Sequence, residues 1–187
     1  MIENCLVYIY SLKPTKRFVG CGALIEGGFI ATCRHVWDEA SRAPVASQPE
    51  IVVEYPRVRE DGTTVTAPAD LADACDDPRL IDPPPDLVLL QPAYIPSEAF
   101  PLQLATKEIL ETGAGYFHAR VRRTDAEDRE IWQQAFPGGT IDTHLTEEGR
   151  RQVTGIPGQY WFTSGSSGSP LFLQNGQQLA GILSAAE

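Results

Sequence analysis

The apolar residues of this chain fall into short runs of four to ten residues, each bounded by Gly, Pro, Asp or Asn. The runs are rich in Val, Ile, Tyr and Phe, residue types that favour strands, and they are shorter than most helices. A helical period fits only residues 106–112 and 125–136, for one or two turns each. The pattern therefore predicts an all-β chain. In chain order the runs are CLVYIYSL, RFVGCGALIE, GFIATCRHVW, IVVEYPRV, TTVTAPA, DLVLL, GYFHARV, QYWFT, SPLFLQ and QLAGILSA.

Two dipeptides mark tight hairpins between neighbouring runs: Gly27-Gly28 in IEGGF and Asn175-Gly176 in QNGQ. Both tolerate the positive backbone φ angles that two-residue hairpin turns require. Residues 40–50 and 73–86 have the composition of loops, and three consecutive prolines stiffen the second one. Neither loop interrupts an apolar run, so the strand prediction stands on both sides.

Length and composition fit a globular protein of one medium domain or two small packed modules. The chain has 187 residues, of which 42% are hydrophobic and 21% are charged. The Pro-containing stretch at 91–101 predicts the boundary, with one β module over residues 1–95 and another over residues 96–187. A formal net charge of −10, from 25 acidic and 15 basic residues, argues against a surface that binds phosphates. We therefore expect no nucleic-acid partner.

The N-terminal sequence lacks the features of a secretory signal or a membrane span. Glu3 lies near its start, no basic residue precedes the apolar run, and that run is only six residues long. We therefore expect a cytoplasmic protein that does not bind a membrane.

Four cysteines, Cys5, Cys21, Cys33 and Cys75, show no C-x-x-C spacing. No histidine lies at the intervals that structural zinc sites use. Because disulfides are rare in the cytosol, the simplest interpretation is four reduced thiols. The sequence predicts no metal site and no cofactor.

The stretch SGSSGSP at residues 164–170 is unusually rich in small residues. That composition suits an ordinary surface turn, but it equally suits a loop that presents a hydroxyl beside backbone N–H groups. A serine hydroxyl is a poor nucleophile without a base in reach and a carboxylate to orient that base. The functional interpretation therefore requires both partners elsewhere in the chain.

The sequence offers candidates for the base and for the carboxylate. His35 follows an apolar strand in IATCRHVW, where a side chain can project into a cleft. His118 alternates with arginines and is predicted on an exposed sheet face, and His144 is predicted in a polar loop or at a helix cap. Asp86 directly precedes the buried strand LVLL, whereas Asp82 lies beside the prolines and is predicted to be exposed.

Three motifs in this order resemble those of serine endopeptidases of the chymotrypsin and trypsin type: ATCRHV, DLVLL and GSSGSP. The order His, Asp, Ser differs from that of the α/β-hydrolases and of the subtilisin type. The flanking runs GCGALI and GQQLAGILS also resemble this family, so the match extends from residue 17 to the C-terminus. The resemblance implies two packed antiparallel Greek-key β-barrels with the active site in the cleft between them.

The resemblance also implies roles for individual residues. Ser167 would attack the scissile carbonyl, His35 would take and return its proton, and Asp86 would orient the histidine. Backbone N–H groups of Gly165 and Ser167 would form the oxyanion hole. The implied substrate-binding residues are Trp161, Ser184, Ala185 and Ala186.

The sequence departs from the secreted members of the family at three positions. Val36 follows the histidine where those members have a disulfide-bonded cysteine, and Ser166 replaces the aspartate that pairs with a newly cut N-terminus. The chain therefore resembles intracellular or bacterial members that are not activated as zymogens. Trp161 occupies the position where cleavage after Arg or Lys requires an acid, so basic specificity is not expected.

The chain stops at Glu187, one strand short of what the second barrel needs. Three explanations fit: an open barrel, a protease domain cut from a longer protein, or a rearranged segment at 113–158. We favour the second explanation.

The leading interpretation is a cytoplasmic, bacterial serine endopeptidase that acts as the effector domain of a larger regulated protein or assembly. Its partners would be a peptide or protein substrate and a regulatory domain or partner protein. The alternative is a catalytically inactive trypsin-like module that binds peptides, and a third reading is an ester hydrolase. The intact His35, Asp86 and Ser167 weigh against the inactive module.

Overall fold

The computed structural model describes most of the N-terminal half and shorter stretches of the C-terminal half. The described residues are 2–12, 14–42, 51–72, 86–106, 119–124, 130–135, 139–145, 151–155, 167–173 and 178–184. In chain order the elements are η1 (Ile2–Cys5), β1 (Leu6–Ser11), β2 (Arg17–Ile25), β3 (Phe29–Cys33), α1 (Arg34–Ser41), β4 (Ile51–Glu60), β5 (Thr63–Leu71), β6 (Leu87–Pro92), β7 (Gln103–Leu104), β8 (Ala119–Thr124), β9 (Glu130–Ala135), β10 (Gly139–Leu145), β11 (Arg151–Gly155), β12 (Pro170–Phe172) and β13 (Gln178–Ile182). Among these residues, no helix has the length and apolar character needed to cross a membrane.

Strands β1 to β6 form a closed barrel in the order β1-β2-β3-β6-β5-β4. Every neighbouring pair around the barrel is antiparallel. The all-β prediction is therefore confirmed, and the six strands all lie within residues 1–95. The predicted boundary after residue 95 stays a prediction.

Alternating residues build the interior of this barrel. In β4, Ile51, Val53 and Tyr55 are buried, whereas the residues between them are partly exposed. In β5, Val65 and Ala67 are buried in the same alternating way. Because side chains of a strand point to opposite faces in turn, this period of two commits one face of each strand to the core.

Both predicted hairpins join paired strands. Gly27 and Gly28 have φ angles of +88° and +80°, and Gly28 N donates to Ile25 O at 3.1 Å, which closes the turn between β2 and β3. Strands β12 and β13 are likewise antiparallel, with Leu173 N donating to Gln178 O at 3.0 Å. The turn residues Asn175-Gly176 lie outside the described residues.

The described strands of the C-terminal half form three small sheets. Strand β13 pairs with β12 and, in parallel, with β7, while β8 pairs with β9 and β10 pairs with β11. These strands extend the all-β architecture beyond the first barrel. The missing last strand of a second barrel stays a prediction.

The structure corrects three local predictions. Residues 34–41 form helix α1 in place of the end of the strand-like run at 28–37 and the start of the loop predicted at 40–50, because Val36 and Ala40, four positions apart, are both buried on one helix face. Residues 130–135 of the predicted helical stretch form strand β9, since a ladder with β8 outweighs local helix preference. His144 lies in strand β10 instead of a loop or cap. The predicted helical turn at 106–112 lies outside the described residues from 107 onward.

Candidate active site

The pairing of β3 with β6 brings Asp86 beside His35. The two strands are antiparallel, with Cys33 opposite Leu87. The next residues along this register are Arg34, whose N–H donates to Asp86 O at 3.0 Å, and then His35. A separation of 51 residues in sequence is thereby closed by one strand register.

The carboxylate of Asp86 accepts hydrogen bonds from two residues. Its Oδ1 accepts from His35 N at 3.2 Å and lies 2.9 Å from His35 Nδ1, while Oδ2 lies 3.0 Å from the same nitrogen. The hydroxyl of Ser184 donates to Oδ2 at 2.5 Å. The side chain of Asp86 is only 14% exposed, whereas that of His35 is 45% exposed.

Asp86 also satisfies the first turn of helix α1. A helix begins with backbone N–H groups that have no partner inside the helix, and Cys33, the residue before it, makes no side-chain cap. The main-chain carbonyl of Asp86 binds the N–H of Arg34, and its carboxylate binds the N–H of His35. Asp86 therefore binds both the first turn of the helix that carries His35 and the ring of that histidine.

These contacts keep Asp86 ionised. Burial raises the pKa of the Asp86 carboxyl, but hydrogen bonds from Ser184 and from the side chain and backbone of His35, together with the charge of His35, lower this pKa below its ordinary value. Because an ionised carboxylate only accepts, the Nδ1 atom that faces it carries a proton. In the neutral ring, Nε2 is then left as the proton acceptor.

The segment of Ser167 is fixed by its backbone. Ser167 O accepts from Cys21 N at 2.9 Å, Gly168 N donates to Leu183 O at 2.8 Å, and Leu183 N donates to Ser169 O at 2.9 Å. This segment therefore lies between β2 and the residues that follow β13. Leu183 immediately precedes Ser184, so two adjacent residues bind the segment that carries Ser167 and the carboxylate of Asp86.

The backbone of Ser167 packs next to helix α1 across a glycine. A Cβ atom on Gly20 would lie 2.8 Å from Val36 Cγ2 and 3.0 Å from Ser167 O, so only glycine allows this approach. Val36 follows His35, which places both residues in one neighbourhood with Ser167. Within the described residues, no hydrogen bond joins the Ser167 hydroxyl to the His35 ring, and Ser167 is 8% exposed.

The sequence matches a known family of peptidases. The trypsin-like peptidase domain family matches residues 20–182 of the chain. The chain belongs to this family. No curated protein matches the chain by sequence.

Solved structures resemble this trypsin-like peptidase domain over nearly its whole length. The crystal structure of Deg5 has a TM-score of 0.64 at 19% identity and covers 98% of this chain and 80% of its own. GrC has a TM-score of 0.62 at 18% identity, covering 99% of this chain and 84% of its own. Rv3671c from M. tuberculosis H37Rv, in an inactive serine-to-alanine form, has a TM-score of 0.52 at 19% identity, covering 97% and 77%. At these identities the likeness shows the fold alone, and the chymotrypsin-like architecture is confirmed.

Several residues given roles by the resemblance lie outside the described residues. Ser184 is described, and its hydroxyl donates to Asp86 Oδ2, while its role in binding substrate stays a prediction. The undescribed ones are Trp161, Gly165, Ala185 and Ala186, together with Ser166 and His118. Their proposed roles stay predictions.

The sequence did not reveal two residues that hold this trypsin-like site together. Thr32 Oγ1, fully buried, donates to Cys21 O at 2.7 Å, and Cys33 Sγ donates to Leu183 O at 3.2 Å. The side-chain ligand atoms of Cys33, His35 and Asp86 all lie within 4.8 Å of one another. The motif ATCRHV contained both residues, but only the strand pairing shows which carbonyls they meet.

Gly168 cannot carry a side chain. Its φ is +81°, and a Cβ would lie 1.8 Å from Cys21 O, which already accepts a hydrogen bond from Thr32 Oγ1. We expect Gly168→Ala to lower the free energy of unfolding by at least about 3 kcal/mol, because left-handed strain and backbone overlap add. Urea unfolding measures this loss.

Gly181→Ala is the matched control. A Cβ on Gly181, in β13, would meet nothing within 4 Å. This variant should stay within about 0.5 kcal/mol of the parent. Equal stability of the two alanine variants would show that the packing of Gly168 on β2 is wrong.

The ionised form of Asp86 should stabilise the fold at neutral pH. Its pKa is lowered in the folded state, so this contribution is present above the ordinary value of 3.8 and is lost as pH falls through the folded-state pKa. We expect Asp86→Asn to cost about 2 kcal/mol at pH 7, the range for hydrogen bonds to charged groups, and less at pH 3. Chemical unfolding at both pH values measures the difference.

Asp38→Asn, which changes an exposed carboxylate on the same helix, should alter stability by less than about 0.5 kcal/mol at either pH. An Asp86→Asn cost that is as large at pH 3 as at pH 7 would contradict the role of the Asp86 charge.

Proposed function

We propose that this trypsin-like peptidase domain is a serine endopeptidase that acts through Ser167, His35 and Asp86. The single observation that carries the proposal is the carboxylate of Asp86, 2.9 Å from His35 Nδ1 and bound also by Ser184. A histidine with its Nδ1 proton held in this way presents an unprotonated Nε2 to a nucleophile. A catalytic base needs this arrangement, whereas a module that only binds peptides does not.

In the proposed reaction, Ser167 Oγ forms a bond to the carbonyl carbon of a peptide while its proton moves to His35 Nε2. The negative charge moves to the carbonyl oxygen, where the backbone N–H groups of Gly165 and Ser167 would stabilise it. The carbon–nitrogen bond then breaks, and the proton on Nε2 passes to the leaving amine. Asp86 stays ionised and stabilises the charged ring.

The resulting ester between Ser167 and the acyl group is hydrolysed by the same steps in reverse. A water molecule gives a proton to His35 Nε2 and bonds to the ester carbon, and the proton then returns to Ser167 Oγ as the acid departs. Two hydrogen bonds, from Cys21 N to Ser167 O and from Gly168 N to Leu183 O, hold the backbone that carries Ser167.

The substrate in this proposal is an extended peptide or protein segment. The backbone from Ser184 to Ala186 would pair with it as an added strand, and Trp161 in place of an acid would disfavour cleavage after basic residues. Because Ser184 also binds Asp86, the strand that receives the substrate is anchored to the proposed catalytic acid. We further propose that the chain works in the cytoplasm of a bacterium with a regulatory domain or partner protein.

A second candidate is a peptide-binding module that does not cleave. The observation in its favour is that, in the described part of the chain, Ser167 Oγ and the His35 ring share no hydrogen bond. Catalytic hydrogen bonds are often long in unliganded enzymes and tighten only with substrate, so we rank this function second.

Reaction with a fluorophosphonate probe separates the two functions. We expect the folded chain to be labelled once, because only a serine activated by a neighbouring base reacts, and Ser167→Ala to abolish the label. Ser169→Ala is the matched control: this serine is two residues away and fully buried, so its loss should leave labelling intact. Intact mass spectrometry measures the adduct.

The same variants test the base. His35→Ala should lower turnover of a peptide substrate, chosen from a library profile, about as far as Ser167→Ala, on the order of 10⁴- to 10⁶-fold, because triad members act as a unit. His118→Ala should leave turnover nearly unchanged. A labelled Ser167→Ala variant would refute the assignment, and a folded but unlabelled parent chain would favour the peptide-binding module.

A further inference from the structure

Cys33 is a buried thiol beside the proposed triad that the proposed reaction does not use. It ends β3, two residues before His35, and is fully buried. Its Sγ donates to Leu183 O at 3.2 Å, and that carbonyl also accepts from Gly168 N at 2.8 Å. If the thiol lost its proton, the carbonyl of Leu183 would therefore still accept the hydrogen bond from Gly168 N.

The sulfur of Cys33 completes a set of three ligand atoms. One ligand atom each from Cys33, His35 and Asp86 lies within 4.8 Å of the others. His35 Nδ1 and Asp86 Oδ1 lie 2.9 Å apart. In a tetrahedral zinc site, bonds of about 2.0 Å to nitrogen and oxygen and about 2.3 Å to sulfur put ligand atoms about 3.3–3.5 Å apart. No separation in the set therefore has to change by more than about 1.5 Å to hold a zinc ion.

The chemistry of the three ligands also suits zinc. A thiolate and a carboxylate carry two negative charges, which balance a divalent cation, and the neutral imidazole is a common third ligand. The buried sulfur favours a thiophilic metal over magnesium or calcium, which prefer oxygen ligands. The His35 side chain is 45% exposed, so solvent reaches its ring, and a water molecule would be the fourth ligand.

We propose that Cys33, His35 and Asp86 form a zinc-binding site that reversibly blocks the triad. Zinc bonds to Cys33 Sγ, to one Asp86 oxygen and to the Nδ1 lone pair of His35. The thiol proton leaves to solvent, and the Nδ1 proton of the neutral ring is lost there while Nε2 takes one up. With its proton on Nε2, His35 has no lone pair to accept the proton of Ser167.

Inhibition of the triad by zinc rests on the proposed function, but zinc binding by these three residues does not.

Linear spacing predicted no metal site, because Cys33 and His35 are only two residues apart and no second cysteine or histidine follows at a ligand interval. The third ligand comes from β6, 51 residues further along the chain. The site therefore exists only in the folded chain.

Metal binding is tested first without reference to activity. Under a phosphine reductant, Co²⁺ added to the 187-residue chain should give a thiolate-to-cobalt charge-transfer band that Zn²⁺ removes by displacement. Cys33→Ala and His35→Ala should each abolish this band and weaken Zn²⁺ binding at least about 100-fold, since loss of an outer hydrogen-bond partner of a ligand already costs 10–100-fold. Cys5→Ala, which removes another fully buried thiol, is the matched control and should keep the band.

Activity is tested separately by fluorophosphonate labelling with and without Zn²⁺. We expect Zn²⁺ to suppress labelling of the parent chain and of Cys5→Ala, and a chelator to restore it. A parent chain without the charge-transfer band, or a band that survives in both Cys33→Ala and His35→Ala, overturns the zinc site. If Cys33→Ala does not fold, the exposed His35→Ala variant decides the same question. Zinc binding in a chain that the probe never labels would refute the proposed function and leave the site standing.

Discussion

One strand register, Cys33 opposite Leu87, determines the chemistry of the candidate site. This register places Arg34, the residue after β3, next to Asp86, the residue before β6. The carbonyl and the carboxylate of Asp86 therefore accept hydrogen bonds from the first N–H groups of helix α1. A slip by one residue would turn the side chains of β6 to the opposite face and remove the carboxylate from the His35 ring. The barrel core that buries β3 and β6 therefore also fixes the geometry of the histidine.

A second constraint joins the two halves of the chain at Leu183. Its carbonyl accepts from Gly168 N and from Cys33 Sγ, its N–H donates to Ser169 O, and the next residue, Ser184, binds Asp86. Three parts of the site thus share one short segment. The serine segment, the acid and the end of β3 are therefore all bonded to these two adjacent residues. The same convergence brings a thiol within reach of the histidine and the carboxylate.

The strands and the order of the site motifs were predictable because both are local patterns: alternating apolar runs, and His35, Asp86 and Ser167 each in a recognisable sequence context. Helix α1 was missed because Val36 lies in an apolar run that favours a strand, whereas Ala40 begins a stretch with the composition of a loop. The strand over residues 130–135 was missed because its ladder partner, not its own composition, decides its conformation. The neighbourhood of Cys33 could not be predicted, since it depends on carbonyls and a carboxylate supplied by distant segments.

The central claim is that Asp86 holds the proton on Nδ1 of His35 and leaves Nε2 free to accept one. Proton–nitrogen NMR correlation of the imidazole rings tests this directly, with a chelator present and the His35 signals assigned through His35→Ala. Above the titration of the ring, we expect a protonated Nδ1 with a strongly downfield proton and an unprotonated Nε2. A neutral ring that carries its proton on Nε2 in the metal-free chain would contradict the claim.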